Sequence, residues 1–350
     1  MKVLLVSPKM EKSNGGIATW TNIYLDSCVD AGIEPYILNT EPIGKRASNG
    51  AAKRNLLDEI VRTRRIFKNL RSLLRDSAYD VAHVNSSCGK FGLIRDYMVA
   101  KRIKKKQPNT KIVLHFHCDV PYQVKNKTSE KYLQKLLRIS DKNLVLCENS
   151  KKYLEEKFSA ESIKVPNFVN EDIVTKGCRE VSASIKKAFF VGRISTAKGA
   201  REIYEIANRF PEISFELAGN VSVQVTEWKK PDNIILLGLL SHSDVFAKMD
   251  EADIFLFPTH SEGFSMALAE AMSRGLPTVT TDVGANKDMI EYKGGVIVSV
   301  GDVDAMQNAI NSIMEKNVRE QMSKWSVQKV RDCYLTQTVM KSFAEIYKEC

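Results

Sequence analysis

Short apolar runs alternate with amphipathic stretches along this chain. Runs of four to eight residues at Lys2–Ser7, Glu34–Leu38, Tyr79–Asn85, Lys111–Cys118, Asn143–Cys147, Lys187–Val191, Phe215–Ala218, Ile234–Leu237 and Ala252–Phe257 read as buried strands. Apolar positions at helical spacing predict helices over 18–30, 53–76, 93–106, 265–274, 305–314 and 337–350. Strand and helix in turn are the pattern of an open α/β sheet, whose ligands sit at the carboxyl ends of the strands. The sharpest example is Phe257-Pro258-Thr259-His260-Ser261-Glu262-Gly263-Phe264-Ser265. Pro258 has no N–H for the ladder and ends the strand. Ser261-Glu262-Gly263 makes a turn, and Met266, Leu268, Ala269 and Met272 carry a helix that stops near Gly275-Leu276-Pro277. Free N–H groups and a positive dipole end then lie at the strand edge, an anion site. Glu262 and Glu270 flank it, and carboxylates repel phosphate, so each suits hydroxyls of a sugar or ribose instead. The bland alternative for Glu270 is a solvated helix face.

Length and composition bound the rest. At 350 residues, with 43% hydrophobic residues, the chain is sized for two domains. Seven cysteines without a C-x-x-C pattern point to neither a disulfide framework nor a zinc site, as in a reducing cytoplasm. The N-terminal apolar run is too short for a signal peptide, and no run is long enough to span a bilayer. The expectation is a cytoplasmic protein, free or peripheral on the inner face of the cytoplasmic membrane. Charge is uneven: residues 1–170 hold 31 Lys+Arg and 17 Asp+Glu, a net of +14, whereas residues 171–350 hold 21 and 25, a net of −4. Helix 53–76 interleaves Arg54, Arg62, Arg64, Arg65, Lys68, Arg71 and Arg75 with apolar residues at 56, 57, 60, 66, 67, 70, 73 and 74. Its apolar side should pack on the sheet, and its basic side is either solvated or faces anionic lipid. The cluster Lys101–Lys106 also has a simpler explanation as cations at a helix C-terminus.

Other candidates for chemistry lie at strand ends. Gly15-Gly16 opens a helix after the first strand; this is close backbone approach to a phosphate or sugar, or a plain loop, and not a nicotinamide fingerprint. His115 and His117 share one face of their strand, and no third ligand for a metal is nearby. Arg193 and Lys198, in a glycine-flanked loop after a strand, suit a pyrophosphate as a planar fork and a point charge, or are merely solvated. Asp302-Val303-Asp304 precedes a helix, which makes Asp302 an N-cap rather than a metal ligand.

Glu262 and Glu270, seven residues between them, resemble the E-x7-E signature of retaining glycosyltransferases of family four (glycosyl transferases group 1). Gly275-Leu276-Pro277 and Thr281-Asp282-Val283-Gly284-Ala285 resemble the continuation of that motif, Gly192-Arg193 to Lys198-Gly199 resembles its GR-x-x-x-x-KG, and Val165-Pro166-Asn167-Phe168 resembles its PNGVD interdomain segment with Phe168 in place of glycine. The resemblance implies a GT-B fold: two doubly wound Rossmann-like parallel-sheet domains facing each other across a cleft. It implies an acceptor-binding domain over 1–167, a nucleotide-sugar-binding domain over 168–334, and a terminal helix, 335–350, packing back on the first. By position within the motifs, it implies that Gly15 and Gly16 border the donor pyrophosphate and that His117 contacts the donor sugar. Asn220 stands at a glycine position of the donor edge, and backbone near Leu239 reads the base. Gly263, Phe264, Ser265, Met266 and Ala267 line the donor, and Glu270 takes the ribose. His117, Glu262, Arg193 and Lys198 are then the catalytic set, with no cofactor and no metal.

The expectation is a hexosyltransferase-type enzyme that retains anomeric configuration. It would move a sugar from a nucleotide diphosphate, UDP first among them, to a saccharide or lipid-linked saccharide in cell-surface polysaccharide synthesis. The rivals are a GT-B relative such as a sugar-nucleotide epimerase or phosphorylase, a non-catalytic nucleotide-sugar-binding module, and a nucleic-acid-binding protein. The last is disfavoured because no aromatics interleave the basic clusters.

Overall fold

A computed structural model describes residues 1–9, 16–44 and 55–350. Two compact units result, Met1–Asn167 with Thr336–Cys350, and Phe168–Leu335.

The first unit is built on six parallel strands, β1 (Lys2–Ser7), β2 (Glu34–Asn39), β3 (Val81–Ser86), β4 (Lys111–Phe116), β5 (Lys142–Val145) and β6 (Ile163–Lys164), in the order β2-β1-β3-β4-β5-β6. β3 is buried at every position, as a strand covered on both faces must be. Helices flank the sheet: α1 (Gly16–Ser27), α2 (Leu56–Asp76), α3 (Lys90–Lys106), α4 (Lys127–Leu137) and α5 (Glu148–Phe158). Strand order reverses between β1 and β3, which makes their carboxyl ends the natural ligand edge.

Two expectations change here. β4 stops at Phe116, so His117 follows the strand rather than ending it. The reason is its neighbour: Ser86 ends β3 opposite Phe116, and His117 N–H makes the last ladder bond, to the Ser86 carbonyl at 2.8 Å. Helix α2 does not bury its whole apolar stripe. Ile66 and Leu70 are in the core, but Leu57, Ile60 and Val61 are exposed. At about 100° per residue, Leu57, Ile60 and Val61 fall on the side of the helix away from Ile66 and Leu70, whereas Arg62, on the inner side of the same turns, is buried.

The second unit holds β7 (Lys187–Val191), β8 (Ser214–Ala218), β9 (Ile234–Gly238), β10 (Ile254–Phe257), β11 (Thr278–Thr281) and β12 (Gly295–Val298), all parallel, in the order β12-β11-β10-β7-β8-β9. Here the chain runs outward from β7 to β9, returns, and runs outward again from β10 to β12. The reversal lies between β7 and β10. β11, with four β-branched residues all buried, carries no apolar run for the hydrophobic pattern to find. The longer helices are α6 (Ala200–Arg209), α7 (His242–Glu251), α8 (Met266–Ser273), α9 (Val303–Ser312) and α10 (Lys316–Cys333). Asp302 caps α9, its carboxylate accepting from Ala305 N–H at 2.8 Å. The terminal helix α11 (Thr336–Lys348) belongs to the first unit, where it packs on α1.

Candidate active site

In the second unit the candidate residues converge at the strand-order reversal. The loop after β7 carries Arg193 and Lys198, and the loop after β10 carries Glu262. Two close approaches bind these loops to their neighbours. Gly199, at φ +77°, lies where a Cβ would stand 2.1 Å from the Pro258 carbonyl. Gly284, at φ +53°, lies where a Cβ would stand 2.3 Å from the Glu262 carbonyl. Only glycine combines those backbone angles with that proximity. Below, Thr280 donates its hydroxyl to the Phe257 carbonyl at 2.8 Å, and Thr281 donates to the Thr259 carbonyl. His260 sits 2.7 Å from the Glu202 carboxylate, and its N–H reaches the Ala197 carbonyl at 3.1 Å. The turn that presents Glu262 is therefore held from three sides.

Within this frame Lys198 Nζ is 2.5 Å from Glu262 Oε1, and the Thr259 hydroxyl donates to the same oxygen at 3.2 Å. Cation and carboxylate, read from the sequence as contacting different parts of a ligand, are thus paired. Arg193 is exposed and makes no ion pair among the described residues. At the start of α8 the Ser265 hydroxyl accepts from Leu268 N–H at 3.2 Å, and the first N–H groups of the helix have no intrahelical acceptor. Phe264 and Ser265 are buried, whereas Gly263, Met266 and Ala267 are half-buried along the turn. Glu270, one turn further on, is not on a solvated face. It is half-buried, and burial alone pushes its carboxyl up to about 7. Asn220 is exposed, its carbonyl accepting from Ile194 N–H at 2.9 Å, and Leu239 is 72% exposed just after β9.

In the first unit Gly15 lies outside the described residues. Gly16 starts α1, and a Cβ there would meet nothing within 4 Å. His117 belongs to an aromatic cluster that the hydrophobic pattern did not reveal. The His115 and His117 rings lie tilted with 4.0 Å between centres, Trp20 lies 4.9 Å from His117, and His83 lies 5.3 Å from His115. Phe343 and Tyr347 of α11 close the cluster, with the Tyr347 hydroxyl 2.5 Å from His83 Nδ1 and 3.0 Å from the Tyr24 hydroxyl. Burial lowers His83 and His117 to about 3 and drives His115 well below the ordinary histidine range. All three rings are neutral at physiological pH. The one available signal was the pair His83-x-Asn85 on β3 beside His115-x-His117 on β4. At the β1–β3 edge of the same unit is a cavity of about 400 Å³ lined by Thr40, Arg62, Asn85, Phe91, Arg95 and Met98 among others. No group of histidine, cysteine and carboxylate side chains among the described residues could hold a metal.

Residues 182–329 match the sequence model of the family Glycosyl transferases group 1. The chain is 23% identical over 317 residues to the UDP-Gal:alpha-D-GlcNAc-diphosphoundecaprenol alpha-1,3-galactosyltransferase of Escherichia coli, covering 78% of this chain and 79% of that protein. It is 23% identical over 300 residues to the 2-deoxystreptamine N-acetyl-D-glucosaminyltransferase of Niallia circulans, covering 77% and 76%. Its fold is similar to that of sucrose-phosphate synthase from Thermosynechococcus elongatus, with a TM-score of 0.78 at 16% identity over 99% of this chain and 98% of that one. Two parallel six-stranded sheets with flanking helices make this a GT-B protein, and the chain is a transferase. The match to the glycosyl transferases group 1 family lies within the second unit.

Proposed function

We propose that this glycosyltransferase works in polysaccharide or glycoconjugate synthesis, taking a sugar from a UDP-sugar and retaining its anomeric configuration. The observation that carries this reading is the convergence of Arg193, Lys198, Glu262, the start of α8 and the half-buried Glu270 at one strand-order reversal. Glu270 accepts hydrogen bonds from the ribose hydroxyls. Arg193, Lys198 and the first N–H groups of α8 neutralise the diphosphate, whose charge grows as it leaves, so they speed the reaction as well as bind. Glu262 holds the sugar once ligand phosphate draws Lys198 from it. Asn220 and backbone at Leu239 line the nucleotide. His117 accepts from a substrate hydroxyl.

In the transfer step the C1–O bond to the diphosphate breaks, and a C1–O bond to the acceptor hydroxyl forms on the same face. The acceptor proton passes to the departing diphosphate oxygen. The cationic leaving-group site supplies the positive charge this step needs, so the reading requires no metal and no other cofactor.

The acceptor we assign to the first unit, in the cavity at the β1–β3 edge. Arg62 already donates to the Thr40 carbonyl, and Arg95 pairs with Asp96 at 2.7 Å. A cavity whose cations are engaged and whose walls include Phe91 and Met98 suits a saccharide with hydroxyls and apolar ring faces rather than a bare anion. A lipid-linked acceptor is supported by the Escherichia coli relative, a galactosyltransferase acting on alpha-D-GlcNAc-diphosphoundecaprenol. It is also supported by α2, whose Arg64, Lys68, Arg71 and Arg75 are not buried and whose first turns expose Leu57, Ile60 and Val61. No helix among the described residues is long and apolar enough to cross a membrane, so attachment would be peripheral. Co-sedimentation with anionic vesicles at low salt tests this, and protein left in the supernatant sinks the membrane part of the reading.

The central test is a thermal-shift panel of UDP, GDP, ADP and TDP with Glu270→Ala as control. A ligand at a hundred times its Kd stabilises by about 2.7 kcal/mol. UDP should shift the wild type and not the variant. A shift by no nucleotide, with or without its sugar, would refute the donor assignment.

A further inference from the structure

A directional chain of hydrogen bonds runs through the buried face of the first unit to His117. It begins at the Ile17 carbonyl in the first turn of α1, which can only accept. The Thr21 hydroxyl donates to that carbonyl at 2.8 Å. The single Thr21 proton is thereby used, so at the 2.6 Å contact between Thr21 Oγ1 and Ser7 Oγ the donor is Ser7. The Ser7 proton is then used as well, and Ser7 Oγ accepts from Asn85 Nδ2 at 2.9 Å. This sets the Asn85 amide with its nitrogen toward Ser7 and its oxygen toward His117. Asn85 Oδ1 lies 3.0 Å from His117 Nε2 and has no proton to give. His117 must therefore carry its proton on Nε2. Because burial keeps the ring neutral, Nδ1 holds a lone pair. Nδ1 makes no hydrogen bond among the described residues. Ser7, Thr21 and Asn85 are all buried, so water does not compete for these bonds.

We propose that Asn85, oriented by Ser7 and Thr21, is a positioning residue that locks His117 in the Nε2–H tautomer and so presents Nδ1 as an acceptor for a substrate hydroxyl. The proposal rests on the transferase reading for its substrate, but the tautomer itself does not. It follows that His117 selects for a hydroxyl, which donates, over a group that only accepts, and that it does not act as an acid. The sequence separation explains why no motif shows this: Asn85 lies 78 residues from Ser7 and 32 from His117.

The test is the ¹⁵N spectrum of histidine-labelled enzyme without substrate, with His117→Gln to assign its signals among five histidines. The expected result is one His117 tautomer with Nε2 protonated across about pH 6 to 8, the range in which an ordinary histidine changes charge. Asn85→Ala should release the ring into a mixture of tautomers. Ser7→Ala keeps Asn85 but frees its amide to turn, and should give a partial mixture. A wild-type His117 protonated on Nδ1 overturns the relay, as does an Asn85→Ala protein with an unchanged spectrum. The kinetic arm compares donor sugars that lack one hydroxyl at a time. Losing the hydroxyl that meets Nδ1 should lower wild-type kcat/KM about tenfold. The same loss should cost Asn85→Ala markedly less, a coupling that general loosening of the fold would not produce. If every deoxy donor costs both proteins equally, His117 presents no acceptor to substrate and the proposal fails. Because the tautomer is read on the free enzyme, a failed nucleotide panel and a failed relay are separate results.

Discussion

Replacing Glu270 with glutamine should make the second unit more stable while impairing it. Burial raises the folded-state carboxyl from 4.5 to about 7, with no compensating cation. The sign follows from linkage. Below pH 4.5 the group is protonated folded or unfolded, and its penalty is absent. Between 4.5 and about 7 the unfolded chain releases the proton while the folded one retains it, so stability falls by about 1.4 kcal/mol per pH unit. Above about 7 both states are ionised and the penalty levels off at roughly 3 kcal/mol. Glutamine resembles the protonated acid in shape and never ionises. The stability difference between Glu270→Gln and wild type should therefore be more favourable at pH 8 than at pH 5 by about 2.5 kcal/mol.

Urea unfolding of both proteins at the two pH values measures this, and comparing variant with wild type at each pH cancels the other titrations. The functional half is measured alongside. Ribose hydroxyls donate to an ionised carboxylate more strongly than to a neutral acid, so wild-type affinity for the nucleotide should rise about tenfold from pH 6 to 8, as the ionised fraction grows. In Glu270→Gln that rise should vanish and affinity should be low throughout. A stability difference that does not change with pH would refute the claim that an uncompensated buried carboxyl sits here. A pH-dependent stability with unaffected nucleotide binding would refute its role toward the ribose.

Three other outcomes follow from the geometry. Arg193→Ala and Lys198→Ala should each lower kcat by about a hundredfold or more in steady-state assays, as removal of a donor aimed at developing charge does. Gly284→Ala should destabilise by about 1–3 kcal/mol in urea unfolding and weaken nucleotide binding, because its Cβ cannot coexist with the Glu262 carbonyl at 2.3 Å. The first unit should lose stability as pH falls below 6.5, since His83, His115 and His117 are held neutral when folded and protonate when unfolded. His115→Phe, at a ring whose two nitrogens make no hydrogen bond, should make that acid loss shallower when followed by Trp20 fluorescence.

The interval between Glu262 and Glu270, the proline that stops β10, the glycine at each loop end and the cap at Ser265 are local matters. Each acts over a few residues, so the strand–turn–helix that presents the second-unit site is legible in the chain itself. The same holds for Asp302, whose place before an amphipathic stretch already makes it a cap. Strand order is not local, and it decides which loops meet. Lys198 pairs with Glu262 across 64 residues because β7 and β10 are neighbours at the reversal, and Tyr347 reaches His83 across 264 because α11 packs with the first unit. Nor does helical spacing tell Glu270 from a solvated carboxylate, because the burial that raises its pKa comes from elements packed around α8. Leu57 and Ile60 are apolar like Ile66 and Leu70, yet they fall on the other side of α2, away from the core, and stay exposed. Periodicity determines which face of an element is apolar. Only the assembled layers determine how much of that face is covered, and which polar groups must find their partners inside.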